Sequence, residues 1–271
     1  MRLITLLENT TKDKTLTPEH GLSIFIETLK HKTLFDLGPD DAFLRNAQRL
    51  GVDLTEVDTV VLSHGHYDHG GGLAGFLKIN SRAKIYIHKA AFEPYYVKAS
   101  GLKKYIGLDR DLFGNERFIL IDGTVRIDDE LLIFSDIDGQ FETKSNSVLL
   151  KKTAGGFFQD DFAHEQNLIV TESDNAVLLA GCSHRGIANI LKAAQKHQPV
   201  IRAVLGGFHL YNPIAKSTEP AETVQELAKE LAAQECMFYT GHCTGTEAFE
   251  IMSAIMRNNL SYLFTGSVIE M

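Results

Sequence analysis

A chain of 271 residues, 44% of them hydrophobic, can build one large α/β domain or two small ones. Its formal charge of −8 gives it no global attraction for nucleic acid or an anionic membrane surface. Three cysteines, Cys182, Cys236 and Cys243, are too few and odd in number for a disulfide framework and suit a reducing cytoplasm. No run approaches the ~18 apolar residues that span a bilayer, and the apolar N-terminal run is too short for a secretory signal.

Residues 3–7 read as a first strand and 9–18 as a polar loop. Alternation at Leu22, Ile24 and Ile26 predicts a second strand over 21–28, and 33–35 a third, giving a small antiparallel meander. It ends at Asp36-Leu37-Gly38-Pro39. Ala42, Phe43, Ala47 and Leu50 space a helix over 42–50, closed by Gly51. The β-branched run 59–62 reads as a buried strand, and it runs straight into His64-Gly65-His66-Tyr67-Asp68-His69, followed by three glycines.

That spacing carries chemistry. His64 and His66, two apart, face the same way in an extended or tightly turned segment. Two imidazoles suit a borderline cation such as Zn²⁺, Fe²⁺ or Mn²⁺. Asp68 and His69 point elsewhere, toward a second cation, so one loop can feed the two metals of a two-metal hydrolase.

Further on, a helix opens over 72–77 and a strand runs over 84–88. Residues 89–117 break the rhythm, mixing Tyr95, Tyr96 and Tyr105 with Lys103 and Lys104. Strands of a second sheet are expected over 117–120, 124–127, 131–135 and 147–151, with a loop over 155–166. A hairpin over 167–171 and 176–180 leads to a helix over 187–197, a strand over 201–205 and a helix over 220–234. A strand over 237–240, a helix over 246–256 and a last strand over 262–264 complete the chain. Strands cluster in each half with helices between and after, which suits an α/β fold: a four-layer αββα sandwich of two mixed sheets with outer helices.

His64-x-His66-x-Asp68-His69 after an apolar strand resembles the metallo-β-lactamase superfamily. Glu19-His20-Gly21-Leu22-Ser23, Gly181-Cys182-Ser183-His184-Arg185-Gly186, Gly206-Gly207-Phe208-His209-Leu210 and Thr240-Gly241-His242-Cys243-Thr244-Gly245 resemble one branch of it. That branch comprises metal-dependent hydrolases similar to dihydropterin ribofuranosyl-aminobenzene phosphate synthase. The resemblance implies a single domain over 1–271 with a substrate-covering insertion around 89–117. It also implies that Asp36 supports the metal loop by hydrogen bonding rather than by ligation.

His184 and His242 each end a short apolar strand beside a glycine, where α/β sites collect side chains. His184 is assigned with His64 and His66 to a first metal, and His242 with Asp68 and His69 to a second. The Thr-Pro-Gly-His segment of many superfamily members is absent, and Asp160, Asp161 or His164 lies near its place. Cys182 stands where many members carry a bridging aspartate. It either binds a soft cation as thiolate or is a small buried residue. His209, at another strand end, is the candidate proton donor to a leaving oxygen, with His20 a weaker candidate of the same type.

The expected activity is hydrolysis by a metal-bound hydroxide, since a cation lowers the pKa of bound water from ~15.7 toward ~7. Asp68 and His209 are the catalytic candidates, and two divalent ions the cofactor, zinc first, manganese or iron as alternatives. In the insertion, Tyr95 and Tyr96 would stack on a flat ring while Lys103 and Lys104 meet phosphate; a pair of surface helices is the competing reading. The expected partner is a small anionic ester or phosphodiester, in the cytoplasm, with neither nucleic acid nor membrane. A synthase-type transferase is the alternative activity, and a non-catalytic metal or redox sensor the third.

Overall fold

Period-two burial on both faces of two sheets sets the architecture. The computed structural model describes residues 1–271. Along the first sheet, Ile4, Phe25, Leu34, Val60 and Ile85 pack outward against the helices Ala42–Arg49 and Leu73–Ile79. Their neighbours Leu3, Ile24, Phe35, Val61 and Tyr86 point the other way, onto Leu131, Ile133, Leu168, Val177, Ala203 and Leu205 of the second sheet. The outer face of the second sheet, with Leu132, Ile169, Leu178, Val204 and Phe238, is covered by the helices Ile187–His197, Ala221–Ala232 and Thr246–Met256. Helix, sheet, sheet and helix make four layers. Sheets covered on both faces require nearly unbroken apolar strands, as found here.

The first sheet runs in the order Val268–Glu270, Arg2–Leu7, Ser23–Glu27, Lys32–Phe35, Thr59–Val61, Lys84–His88, Phe118–Ile121. Its N-terminal meander is antiparallel and its later strands parallel. The second sheet runs Leu260–Tyr262, Met237–Thr240, Ala203–Gly206, Asn175–Leu179, Asn167–Glu172, Leu131–Phe134, Val125–Arg126.

Five placements differ from the sequence expectation. Phe118–Ile121 extends the first sheet, parallel to Lys84–His88, instead of joining the second. Val268–Glu270 is an additional strand, paired with Arg2–Leu7. The insertion is a β-hairpin, Tyr95–Ala99 with Leu102–Tyr105, not a helix pair. Its turn, Ser100-Gly101, has φ of +48° and +79°, the left-handed pair that a two-residue hairpin loop demands. Leu149–Thr153, expected in the second sheet, pairs with this hairpin instead, and Gly156–Gln159, expected as loop, completes a separate four-stranded sheet. A strand's own residues encode its faces but not its partner, so these pairings were open.

Candidate metal centre

The loops at the C-terminal ends of the parallel strands converge on one buried cluster. Thr59–Val61 delivers Ser63, His64 and His66, and the short helix Tyr67–Gly70 presents Asp68 and His69. Asn175–Leu179 leads to Cys182 and His184, Ala203–Gly206 to His209, and Met237–Thr240 to His242. The approach is close. A Cβ on Gly181 would lie 2.2 Å from Ser63 Oγ, and one on Gly65 would lie 2.2 Å from the Ala91 carbonyl oxygen. Asp36, Ser183, His209 and His242 all hold left-handed backbone, with φ between +50° and +59°. Non-glycine residues avoid that region unless their surroundings hold them there, and such strain concentrates at functional sites.

Four overlapping groups of donors emerge, one of them His66 with Asp160 and His164. Ligand atoms of His64, His66 and His184 lie within 4.8 Å of one another, and so do those of Asp68, His69, Cys182 and His242. Cys182 also falls in one such group with His184 and His209. His69 Nε2 is 3.1 Å from His242 Nε2 and 3.2 Å from Cys182 Sγ, and Asp68 Oδ2 is 3.5 Å from His242 Nε2. The Nε2 atoms of His64, His66 and His184 are buried without a hydrogen-bond partner. Buried nitrogens of this kind cost stability unless something satisfies them.

The outer nitrogens explain why the inner ones are free. Asp36 Oδ2 accepts from His69 Nδ1 (2.7 Å) and from the Ser63 hydroxyl (2.7 Å). With its proton directed at Asp36, Ser63 Oγ accepts from His64 Nδ1 at 2.8 Å. Asn146 Oδ1 accepts from His184 Nδ1 at 3.0 Å, its amide oriented by donation to the carbonyls of Phe141 and His184. Asn9 Oδ1 accepts from His242 Nδ1 at 2.9 Å. In the neutral rings of His64, His184 and His242, Nδ1 therefore carries the proton and Nε2 turns a lone pair inward. Two buried glutamates hold the backbone beneath: Glu165 accepts from His184 N–H (2.6 Å) and Glu8 from His242 N–H (2.5 Å).

Electrostatics follow. Burial, then the neighbouring imidazoles, pushes His64 and His184 well below the usual histidine value. Burial also lowers His66, against the pull of Asp160. Burial opposes charge on His69 too, but Asp36 and Asp68 outweigh it and lift His69 to about 9. Burial works against ionised Asp68 as well, yet His69, His20 and His242 hold it well below the usual carboxylate range. The neutral imidazoles of His64, His66, His184 and His242, beside an ionised carboxylate and a thiol, form a donor set that fits divalent cations of the zinc type, to which His69 adds its Nε2 once it gives up a proton.

Asp36 thus hydrogen-bonds to the metal loop. His164 Nδ1 accepts from Gly65 N–H at 2.9 Å, and its Nε2 lies 3.1 Å from Asp160 Oδ2, which is 3.9 Å from His66 Nε2. Asp160 and His164 therefore buttress the His64–His66 turn, while Asp161 is exposed. The cleft over the centre, about 280 Å³, is lined by His20, Tyr67, Lys104, His209, Tyr211 and Asn212 among others.

Three residues expected to meet substrate do not line that cleft. Tyr95 is buried behind His66, its hydroxyl donating to the Ala90 carbonyl. Tyr96 packs on Tyr105 and Phe157, and Lys103 Nζ lies 4.3 Å above the Phe157 ring. Alternation along the hairpin turns Tyr96 and Lys103 to the face away from the cleft, whereas Tyr95 shares the face of Val97 but is buried beneath the cleft.

The metallo-β-lactamase superfamily model matches residues 16–148. A protein of Methanocaldococcus jannaschii named 7,8-dihydropterin-6-methyl-4-(β-D-ribofuranosyl)-aminobenzene-5'-phosphate synthase is 30% identical over 270 residues, covering 93% of this chain and 90% of its own. The chain belongs to the metallo-β-lactamase superfamily. An uncharacterised protein of the same archaeon is 29% identical over 98% of this chain and 99% of its own length. A crystallised metal-dependent hydrolase of the β-lactamase superfamily superposes with a TM-score of 0.82 at 27% identity, over 100% of this chain and 99% of that one. The superfamily fold accounts for the placement of the loop 64–69, the donor groups around it and the paired sheets beneath. No helix is long and apolar enough to cross a membrane.

The residues that sequence reasoning missed are the orienting ones: Glu8, Asn9, Ser63, Asn146 and Glu165. Ser63 and Asn9 sit at the ends of predicted strands, the one available signal. Nothing in their local sequence distinguishes the rest.

Proposed function

We propose that this protein is a metal-dependent hydrolase of a small substrate, working at a two-cation centre held by His64, His66 and His184 on one side and by Asp68, His69, His242 and Cys182 on the other. The observation that carries this reading is the set of buried, unpartnered Nε2 atoms of His64, His66 and His184, three residues whose ligand atoms lie within 4.8 Å of one another. Divalent cations bound there supply Lewis acidity and make water acidic enough to ionise near neutral pH.

The chain's own residues do the remaining work. Asn9 donates from Nδ2 to His20 Nδ1 at 3.2 Å, so His20 Nε2 carries a proton toward Asp68 Oδ2 at 3.4 Å and keeps that carboxylate oriented. Both ring nitrogens of His209 are buried and unpartnered, and its ring centroid lies 4.2 Å from that of His184. It lines the cleft, where it donates a proton to the departing oxygen. Lys104 is placed to meet an acidic group of the substrate, a phosphodiester included.

Zinc-loaded and chelator-stripped protein should be compared on bis(4-nitrophenyl) phosphate and 4-nitrophenyl acetate, with zinc counted by elemental analysis. Equal rates in the two forms would overturn the reading. A group-transfer reaction is the second reading, favoured by the 30% identity to the archaeal synthase. Incubation with a dihydropterin diphosphate and an aminobenzene ribose phosphate decides it through the presence or absence of a joined product.

A further inference from the structure

The cleft over the metal centre joins a polar, histidine-rich surface to a largely apolar one. The polar surface includes His20, Asp68, His184 and His209. The apolar one comprises Val97, Ile106, Val148 and Leu149 together with Pro213 and Ile214, with Tyr67, Ser145, Tyr211 and Asn212 as polar exceptions. Lys104 is the one lysine or arginine among the lining residues. Lys103 is taken up by the Phe157 ring. Arg185 lies outside the cleft, its guanidinium donating to the carbonyls of Ile137 and Gly139.

Ile214 at the mouth is 44% exposed, whereas Val97 and Leu149 inside are 5% and 7% exposed. An apolar surface of this kind beside a wet, charged floor gains from a ligand that displaces water from it. A cleft of 280 Å³ has room for about nine non-hydrogen atoms, at about 30 Å³ each. A substrate carrying several charged groups would set some of them against the aliphatic side chains, which is costly.

We propose that the substrate carries an apolar group, an acyl chain of about four to six carbons or a single aryl ring, that seats between Val148 and Ile214 while its reacting carbonyl or phosphoryl group faces the histidines. This rests on the hydrolase reading for the position of the reacting group. The apolar seat itself depends only on the walls.

Straight-chain carboxylates resemble the acid released by such a reaction and present an anionic head to the floor. Acetate, butyrate and hexanoate should be titrated calorimetrically into zinc-loaded protein, with inorganic phosphate as the chain-free anion. The expected result is a Kd that falls about fourfold per methylene, so about 250-fold from acetate to hexanoate. Val148→Asp and Ile214→Asp should each flatten that series while phosphate still binds. Ile214 is half exposed, so its variant stays folded even where Val148→Asp does not. A series flat in the native protein, or a gradient that survives both substitutions, overturns the proposal. Zinc content and turnover of bis(4-nitrophenyl) phosphate, measured on the same samples, separate the two readings. A steep gradient without turnover sinks the hydrolase and keeps the seat, whereas turnover with a flat series does the reverse.

Discussion

Asn9 Oδ1 lies 2.9 Å from Nδ1 of His242, a residue 233 positions further along the chain. The same amide donates to the carbonyl of His242 and to the ring of His20. One side chain at the end of the first strand therefore sets the tautomer of two histidines.

Asn9→Ala removes that control. Loss of an orienting partner behind a ligand histidine typically weakens metal binding 10–100-fold, so zinc affinity at the Asp68–His69–His242 group should fall by about that factor. Asn9→Asp keeps an acceptor and should recover most of it. Competition against a chromophoric chelator measures both.

The two donor groups should be separable. His184→Ala takes one ligand from the His64–His66 group, and His242→Ala one from the Asp68–His69 group. Each variant should lose one tightly bound zinc per chain by elemental analysis and lower turnover by about 100-fold or more. Retention of two zinc ions in both would refute the assignment.

Gly181→Ala should damage the first group without replacing a ligand. The added methyl would lie 2.2 Å from Ser63 Oγ and 3.1 Å from His64 Nδ1, inside the hydrogen-bond chain to Asp36. Overpacking of this kind costs about 1–3 kcal/mol. Urea denaturation should show that loss, together with weaker zinc binding.

His31 supplies a pH test away from the metal centre. Its ring bridges Asp58 (2.8 Å) and Asp128 (2.6 Å), tying together turns from the two halves of the chain. Burial opposes its charge, but the hydrogen bonds it donates to Asp128 and Asp58 prevail and raise its pKa above the usual histidine value. A raised pKa means the folded state binds the proton more tightly. The stabilisation is complete below about 6.5, the unfolded value, and is lost as pH climbs through the folded value. Stability in urea should therefore decline as pH rises above about 6.5, and only modestly because solvent reaches the pair. His31→Gln should flatten that decline.

The metal loop was legible because four ligand-type side chains crowd into six residues after an apolar strand. His184 and His242 were legible as histidines ending strands beside a glycine. The hydrogen-bonding set behind them was not. Asn9, Asn146 and Glu165 resemble ordinary loop residues, and only folding brings them to the rings they orient. The insertion failed for a different reason. Tyr95 and Val97 inside, Tyr96 and Lys98 outside, follow a strand's period, but aromatic and basic composition suggested ligand contacts. Strand partners such as Phe118–Ile121 with Lys84–His88 depend on the whole topology, which no local pattern encodes.

His242 hangs from Glu8 and Asn9, and the strand Val268–Glu270 lies along Arg2–Leu7. During synthesis the histidine-rich loop leaves the ribosome long before the segment that carries His242. Assembly of the Asp68–His69–His242 donor group is therefore a late event in the life of each molecule. Deleting the final strand would loosen the very residues that brace His242, so a truncated copy would emerge as a poor metal scavenger rather than as a half-active enzyme.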